Sequence, residues 1–198
     1  MIQHKTIRAS CLLVGVLLFS VTAFAEGKGE VAGFGGGLAI TGGGINPLFG
    51  GSAGVRVSDH LRIFGEFSVA PLASLAESAA GQASAITGVS VTAKVKLYNV
   101  GGGVDYSFGS SKKVVPYVVG AVGAGLFSTS ATANVGGVSG SASATTKSLY
   151  LGGGGGVRFY AGDNWGIKPE FRFQRYTMSG GGSNSADFTV GLFFQFGK

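Results

Sequence analysis

The sequence is poor in most of what a soluble enzyme is built from. Its 198 residues hold one cysteine, Cys11, and two histidines, His4 and His60. Residues 1–25 read as a signal peptide that is cleaved before Glu26. Lys5 and Arg8 precede an apolar run over 11–21, and Ala23-Phe24-Ala25 places small residues where a signal peptidase reads them. Cys11 opens that run instead of following it, so lipidation is not indicated. The mature chain, residues 26–198, then has no cysteine, which excludes disulfide staples and thiol chemistry. Its single histidine, His60, sits beside Asp59 in a short turn, with no second histidine or cysteine at ligand spacing. Hydrolase chemistry needs a base within hydrogen-bond reach of its nucleophile. No enzyme activity, catalytic residue, metal or cofactor is therefore expected.

Charge is scarce as well. Charged residues make up 12% of the sequence, against about 25% in soluble domains. Loss of Lys5 and Arg8 with the signal peptide takes the formal charge from +6 to +4, and the remaining cations are scattered apart from Lys112-Lys113. A nucleic-acid partner is excluded on that distribution. Nor does the mature chain contain an apolar run approaching the ~20 residues of a membrane helix.

What the chain has instead is glycine, 38 of them, spread through alternating apolar segments. The glycine runs contain no phosphate-loop pattern; their use is geometric, permitting strong coiling and close strand approach. Residues 148–178 show the arrangement most clearly. Leu149, Leu151, Val157 and Phe159 share one parity, Tyr150 and Arg158 the other. After the turn residues Ala161-Gly162-Asp163-Asn164, Trp165, Ile167, Phe171 and Phe173 alternate with Lys168, Glu170, Arg172 and Gln174. Period-two alternation across a turn is a β-hairpin with one apolar and one polar face.

The same pattern repeats along the chain. Strands are expected over 31–40, 49–57 and 61–69, the second with Phe49, Ala53, Val55 and Val57 opposite Ser52 and Arg56, the third with Leu61, Ile63, Phe67 and Val69 opposite Arg62 and Glu66. Residues 70–88 form a long connection rich in Ala and Ser. The fourth strand changes phase between Val91, Val95, Leu97 and Tyr98, Val100, Val104, Tyr106, Phe108, which indicates a bulge or the point where the strand leaves the bilayer. The fifth, 115–127, is too uniformly apolar for its facing to be read. Residues 128–147 continue strands five and six as a projecting hairpin around Val135-Gly136-Gly137-Val138. Residues 178–186 are expected as a glycine-rich last loop before the eighth strand, 187–196.

Turns after strands two, four and six are short, and the second and third of the other connections are long. This matches an outer-membrane barrel with tight periplasmic turns and longer extracellular loops. Tyr106, Phe108, Tyr117, Phe159, Tyr160, Trp165, Phe194 and Phe196 lie beside the short turns, as an interfacial girdle would. The expected fold is all-β: an eight-stranded antiparallel up-and-down transmembrane β-barrel over 26–198. On these strands and this topology the mature chain resembles the small OmpA/OmpX-type outer-membrane barrels. Its ending, Phe188-Thr-Val-Gly-Leu-Phe-Phe-Gln-Phe196, is similar to that family's C-terminal insertion signal, from which Gly197-Lys198 departs. The resemblance implies a Gram-negative cell outer membrane as location, export through the periplasm and assembly by the barrel-insertion machinery.

An eight-stranded barrel is just wide enough to be filled by side chains. Arg56, Arg62, Glu66, Asp105, Arg158, Lys168, Glu170, Arg172 and Asp187 are expected to form a polar network inside it, because unpaired charges in low dielectric are strongly unfavourable. Lys94, Lys96 and Arg175 lie near the loop-side strand ends, where they would meet outer-membrane lipids and lipopolysaccharide phosphates. The functional expectation is a monomeric outer-membrane protein with a structural or surface-interaction role carried by its extracellular loops. A narrow pore for small solutes and a secreted lipocalin-like binder of apolar ligands are the alternatives.

Overall fold

The computed structural model describes residues 28–87, 90–108, 113–135, 138–178 and 181–197. The signal peptide expected over 1–25 and the hairpin-tip glycines 136 and 137 lie outside these. Eight strands are present among the described residues: β1 (Gly29–Ile40), β2 (Ile45–Arg56), β3 (Leu61–Pro71), β4 (Ser90–Ser107), β5 (Val114–Val135), β6 (Val138–Tyr160), β7 (Trp165–Met178) and β8 (Gly181–Phe196). Each pairs antiparallel with its sequence neighbour, and β8 closes on β1 from Gly29↔Phe196 to Ile40↔Ser185. Closure leaves no strand edge in the wall, which is what a sheet needs to cross hydrocarbon.

Side-chain alternation decides which face is which. In β7, Lys168, Glu170, Arg172, Gln174 and Tyr176 are buried in the lumen while Trp165, Ile167, Phe171 and Phe173 stand outward. The same holds around the wall: Phe49, Phe67, Phe188 and Leu192 are exposed on the outside. An apolar outer band this large is the surface of a membrane protein, not of a soluble one. No helix among the described residues is long and apolar enough to cross a membrane; the crossing is done by strands.

Four details differ from the sequence reading. Residues 70–88 are not all loop, since α1 (Ala73–Thr87) occupies most of that connection. Alternation could not announce it, because its Ala- and Ser-rich sequence has hardly any apolar face. The phase change in β4 is not a bulge: its register to β3 runs unbroken from Leu61↔Tyr106 to Pro71↔Lys96. Leu97 simply points inward and is fully buried, because the upper lumen is apolar and lies beneath α1. Residues 181–186 belong to β8, paired with β7 from Met178↔Gly181 onward, and are not a loop. Finally, Tyr117 and Tyr160 do not join the girdle. Tyr117 is 2% exposed within the lumen, and the Tyr160 hydroxyl meets Arg56 and Gln195 there. The girdle beside the short turns is formed by Tyr106, Phe108, Phe159, Trp165 and Phe194, all exposed, with the half-buried Phe196 on the same parity as Phe194.

The lumen is filled in layers. Toward the end that carries α1, Leu38, Leu48, Ala70, Leu72 and Leu97 form an apolar cap, with Leu75, Val95 and Phe127 against it. Helix α1 is pinned over this cap: Gly44 N donates to Ser74 Oγ at 3.1 Å, and Ser74 Oγ donates to Asn46 Oδ1 at 3.1 Å. Below the cap the contents become tyrosines and amides, then ions.

Candidate functional site

Strand geometry brings the inward charges together from distant parts of the chain. Near the end of the short turns Arg62 Nε donates to Asp105 Oδ2 at 2.6 Å, across the Arg62↔Asp105 register of β3 and β4. Arg158, from β6, donates through Nη2 to both Asp105 oxygens at 3.0 Å and through Nη1 to Ser107 Oγ at 3.0 Å. Glu30 completes this layer, 2.6 Å from Arg62 Nη1 and 3.2 Å from Arg158 Nε, with Lys168 Nζ at 3.9 Å. Arg56 stands half-buried at the rim, donating to Tyr160 Oη at 3.3 Å.

A second layer lies above. Arg172 bridges Glu66 at 2.7 Å and Glu170 at 2.6 Å. Tyr117 donates to Glu170 Oε2 at 2.6 Å, and Tyr150 donates to Glu66 Oε1 at 3.4 Å. Guanidinium groups also sit over rings: Arg158 over Tyr117 at 4.3 Å, and Arg62 and Arg172 on Phe64 at 5.1 and 5.5 Å. Such contacts stabilise a desolvated cation by about 2 kcal/mol.

The third layer is largely neutral. Asp187 accepts from Gln174 Nε2 and from Ser185 Oγ, and no cation pairs with it among the described residues. Tyr176 donates to Gln174 Oε1 at 2.9 Å and accepts from Asn99 Nδ2 at 3.0 Å. Across the layers Arg56, Arg62, Arg158, Lys168 and Arg172 face Glu30, Glu66, Asp105, Glu170 and Asp187, so the lumen is formally neutral. Between the side chains are cavities of about 70 Å³ beside Glu30, Arg56 and Arg62, and about 20 Å³ beside Glu66, Arg172 and Asp187. Volumes of this size have room for a few waters and not for a solute column.

Glu30, Tyr117, Tyr150 and Tyr176 belong to this network, and sequence reasoning does not assign them to it. Glu30 falls one residue before the first expected strand. Tyr150 lies on the polar parity with no role evident from its neighbours, and the facing of Tyr117 is illegible in an apolar strand. The signal that could have found the tyrosines is the inward glycine. An added Cβ at Gly101 would meet the Tyr150 hydroxyl, and one at Gly156 the Tyr117 hydroxyl at 2.6 Å, so a bare position on one strand marks a large ring from another.

The outer rim is different. Lys94 and Lys96 of β4 and Arg175 of β7 are exposed on the outward face toward the end that carries α1. They do not form one cluster, because β5 and β6 stand between them. Lys147 of β6, exposed and outward in that interval, is a fourth cation of the same rim. His60 is exposed in the short β2–β3 turn, its ring stacked 5.7 Å from that of Tyr106. No group of three His, Cys, Asp or Glu side chains among the described residues is disposed to hold a metal ion.

Comparison with known families adds the decisive observation. The outer membrane protein beta-barrel domain matches residues 11–196. The chain belongs to this family. Comparison with curated proteins returns no match. Among solved structures the barrel is similar to Neisserial surface protein A, at 20% identity over 86% of this chain and 100% of that one, with a TM-score of 0.59. It is similar also to Ail of Yersinia pestis, at 17% identity over 85% and 99% with a TM-score of 0.52. A major outer membrane protein from Thermus thermophilus shares 11% identity over 85% and 99%, with a TM-score of 0.59. These likenesses are of fold. As an outer membrane protein beta-barrel, the chain is located in the outer membrane and presents its outer face to lipid.

Proposed function

We propose that this barrel serves at the cell surface as a non-enzymatic interaction protein, with β4, β5, β6 and α1 at the extracellular end as its working part. The observation that carries the reading is a contrast within one molecule. The lumen is crossed by ion pairs, tyrosines and an apolar cap, while β5 and β6 run 22 and 23 residues, about twice what a barrel strand needs to span a bilayer. Length beyond the bilayer with nothing to conduct through it is length for contact. Ail, similar in fold, is described as an attachment invasion locus protein, which fits this reading. The narrow-pore alternative requires three packed layers to part.

Within its own membrane the protein is a monomer, since the closed wall leaves no strand edge at the level of the bilayer. The exposed rim cations Lys94, Lys96, Lys147 and Arg175 contact the phosphates of lipopolysaccharide, at the level where those head groups lie. One experiment tests the main reading. Residues 128–147 are replaced by a short turn, and surface attachment of cells carrying the full or shortened barrel is compared beside single-channel recording in planar bilayers. Loss of attachment with no sustained conductance from either form is expected. Equal attachment, together with steady channels from the full chain, overturns the reading in favour of the pore.

A further inference from the structure

Above the barrel rim β4, β5 and β6 continue as a three-stranded sheet, and its two edges are treated differently. On the β4 side the edge is covered: Leu72 N donates to Val95 O at 2.8 Å, and Val91 N donates to Ser84 Oγ of α1 at 3.1 Å. On the β6 side pairing with β7 begins only at Leu149↔Thr177. Residues 139–147 are paired to β5 alone, through an unbroken register from Ala133↔Gly140 to Leu126↔Lys147, and their side chains are exposed. No backbone partner meets their outer edge among the described residues. An open edge of this length, about 30 Å at 3.3–3.4 Å per residue, is a template for another strand. Proteins usually blunt such edges with Pro, charges, bulges or a covering element. This one has no Pro and no bulge, and no charge before Lys147.

We infer that the β6 edge pairs antiparallel with the β6 edge of a second copy standing in an opposing membrane, so that the protein joins cell to cell. The inference rests on the surface-interaction reading above and names its partner. Two copies in one membrane carry β6 in the same vertical sense, whereas a copy in a facing membrane presents it reversed, the sense that antiparallel pairing requires. The side chains suit self-pairing. One face carries Ser139, Ser141, Ser143 and Thr145 and the other Gly140, Ala142, Ala144 and Thr146, all small and uncharged. Pairing centred on Ser143 sets Lys147 opposite Ser139 and holds the two lysines eight residues apart, about 27 Å, so they do not repel.

The test uses the full mature chain refolded into phosphatidylcholine vesicles, with heat-modifiable gel migration to show that each variant has folded. Turbidity reports clumping. Wild-type vesicles are expected to clump, and Ser143→Lys or Ser143→Glu alone to slow clumping about tenfold, because like charges facing across paired strands repel and many contacts join each vesicle pair. Mixing Ser143→Lys with Ser143→Glu vesicles is expected to restore it. Wild-type vesicles that stay dispersed while the barrel is folded overturn the inference, as does a mixture no better than either variant alone. Should vesicles stay dispersed while cells still lose attachment on removal of 128–147, self-pairing fails and the surface reading stands.

Discussion

Arg158 and Asp105 share two hydrogen bonds of 3.0 Å although 53 residues separate them, and both side chains are 1% exposed. Asp105 also takes Arg62, so a single carboxylate holds two buried guanidinium groups. Removing its charge leaves those cations with only Glu30 between them. Loss of one partner from a buried pair costs about 3–5 kcal/mol, chiefly because the other charge stays buried. Asp105→Asn is expected to lower the unfolding free energy by that order in urea titrations of the detergent-folded barrel. Asp187→Asn is the contrast, since Asp187 is held by Gln174 and Ser185 and makes no ion-pair contact among the described residues, Arg172 lying opposite it but bound to Glu66 and Glu170. Its cost should be about 1 kcal/mol, that of an altered hydrogen bond. Equal costs for the two substitutions would show that ion pairing does not hold the lumen.

The glycines of the wall make a second, independent prediction. Gly154 faces inward, and a Cβ there would collide with the Phe171 carbonyl oxygen and Arg172 Cα, backbone atoms that cannot yield. Gly33 faces lipid, and a Cβ there meets nothing within 4 Å. Gly154→Ala should therefore reduce the fraction folded in a heat-modifiable gel assay, at a cost of about 1–3 kcal/mol from overpacking. Gly33→Ala should leave that fraction unchanged or slightly raise it, since alanine restricts the unfolded chain. The reverse order would mean that close strand approach is not why glycine is used.

Sequence alternation is informative where side chains are bulky and silent where they are small. Residues 165–174 carry bulky apolar and charged groups in strict turn, so strand, facing and lumenal charges can all be read from them. Residues 115–127 are mostly Val, Gly and Ala in both parities, and the inward turn of Tyr117 is decided by its bond to Glu170 on β7, 53 residues away. Helix α1 is illegible for a related reason. Its alanines and serines are compatible with loop, and it is held by Leu72, Leu75 and Ser74 docking on residues from β2 and β4. Glu30 escapes a sequence reading because its strand begins close to the expected cleavage site and shows its parity only once β8 is paired beside it.

That docking of α1 is itself testable. Leu75, half-buried beside the buried Ala76, packs from the helix on the apolar cap, and Ile86 is 85% exposed at the other end. A carboxylate at this half-buried position would sit against the leucines of the cap, which is unfavourable without a partner. Leu75→Asp is expected to free α1 from the barrel mouth. Limited proteolysis should then cut within 73–87 at least about tenfold faster, the factor that follows from about 1.4 kcal/mol of lost docking when cleavage tracks the open population. The barrel itself should still migrate as folded. Ile86→Asp should change neither readout, and faster cutting in both variants would show that the helix is not docked through Leu75.

The rim cations supply the remaining prediction, and here the spacing around the wall matters more than the total charge. Lys94 and Lys96 lie on β4, Lys147 on β6 and Arg175 on β7, so in the proposed lipopolysaccharide contact they would meet separate head groups and should act additively. Arg175 is partly engaged, its Nη1 3.4 Å from Asn184 Oδ1, which makes it the weakest contributor of the four. A basic group near an anionic membrane surface adds roughly 1 kcal/mol. Changing Lys94, Lys96 and Lys147 to Gln should therefore lower the lipopolysaccharide retained on purification by well over tenfold, while Arg175→Gln alone lowers it by less than about fivefold. Raising the salt in the wash should erase the difference between wild type and triple variant, because exposed charges are screened within about 10 Å at 0.1 M. Unchanged retention in the triple variant at low salt would remove lipopolysaccharide contact from the functions proposed for this rim.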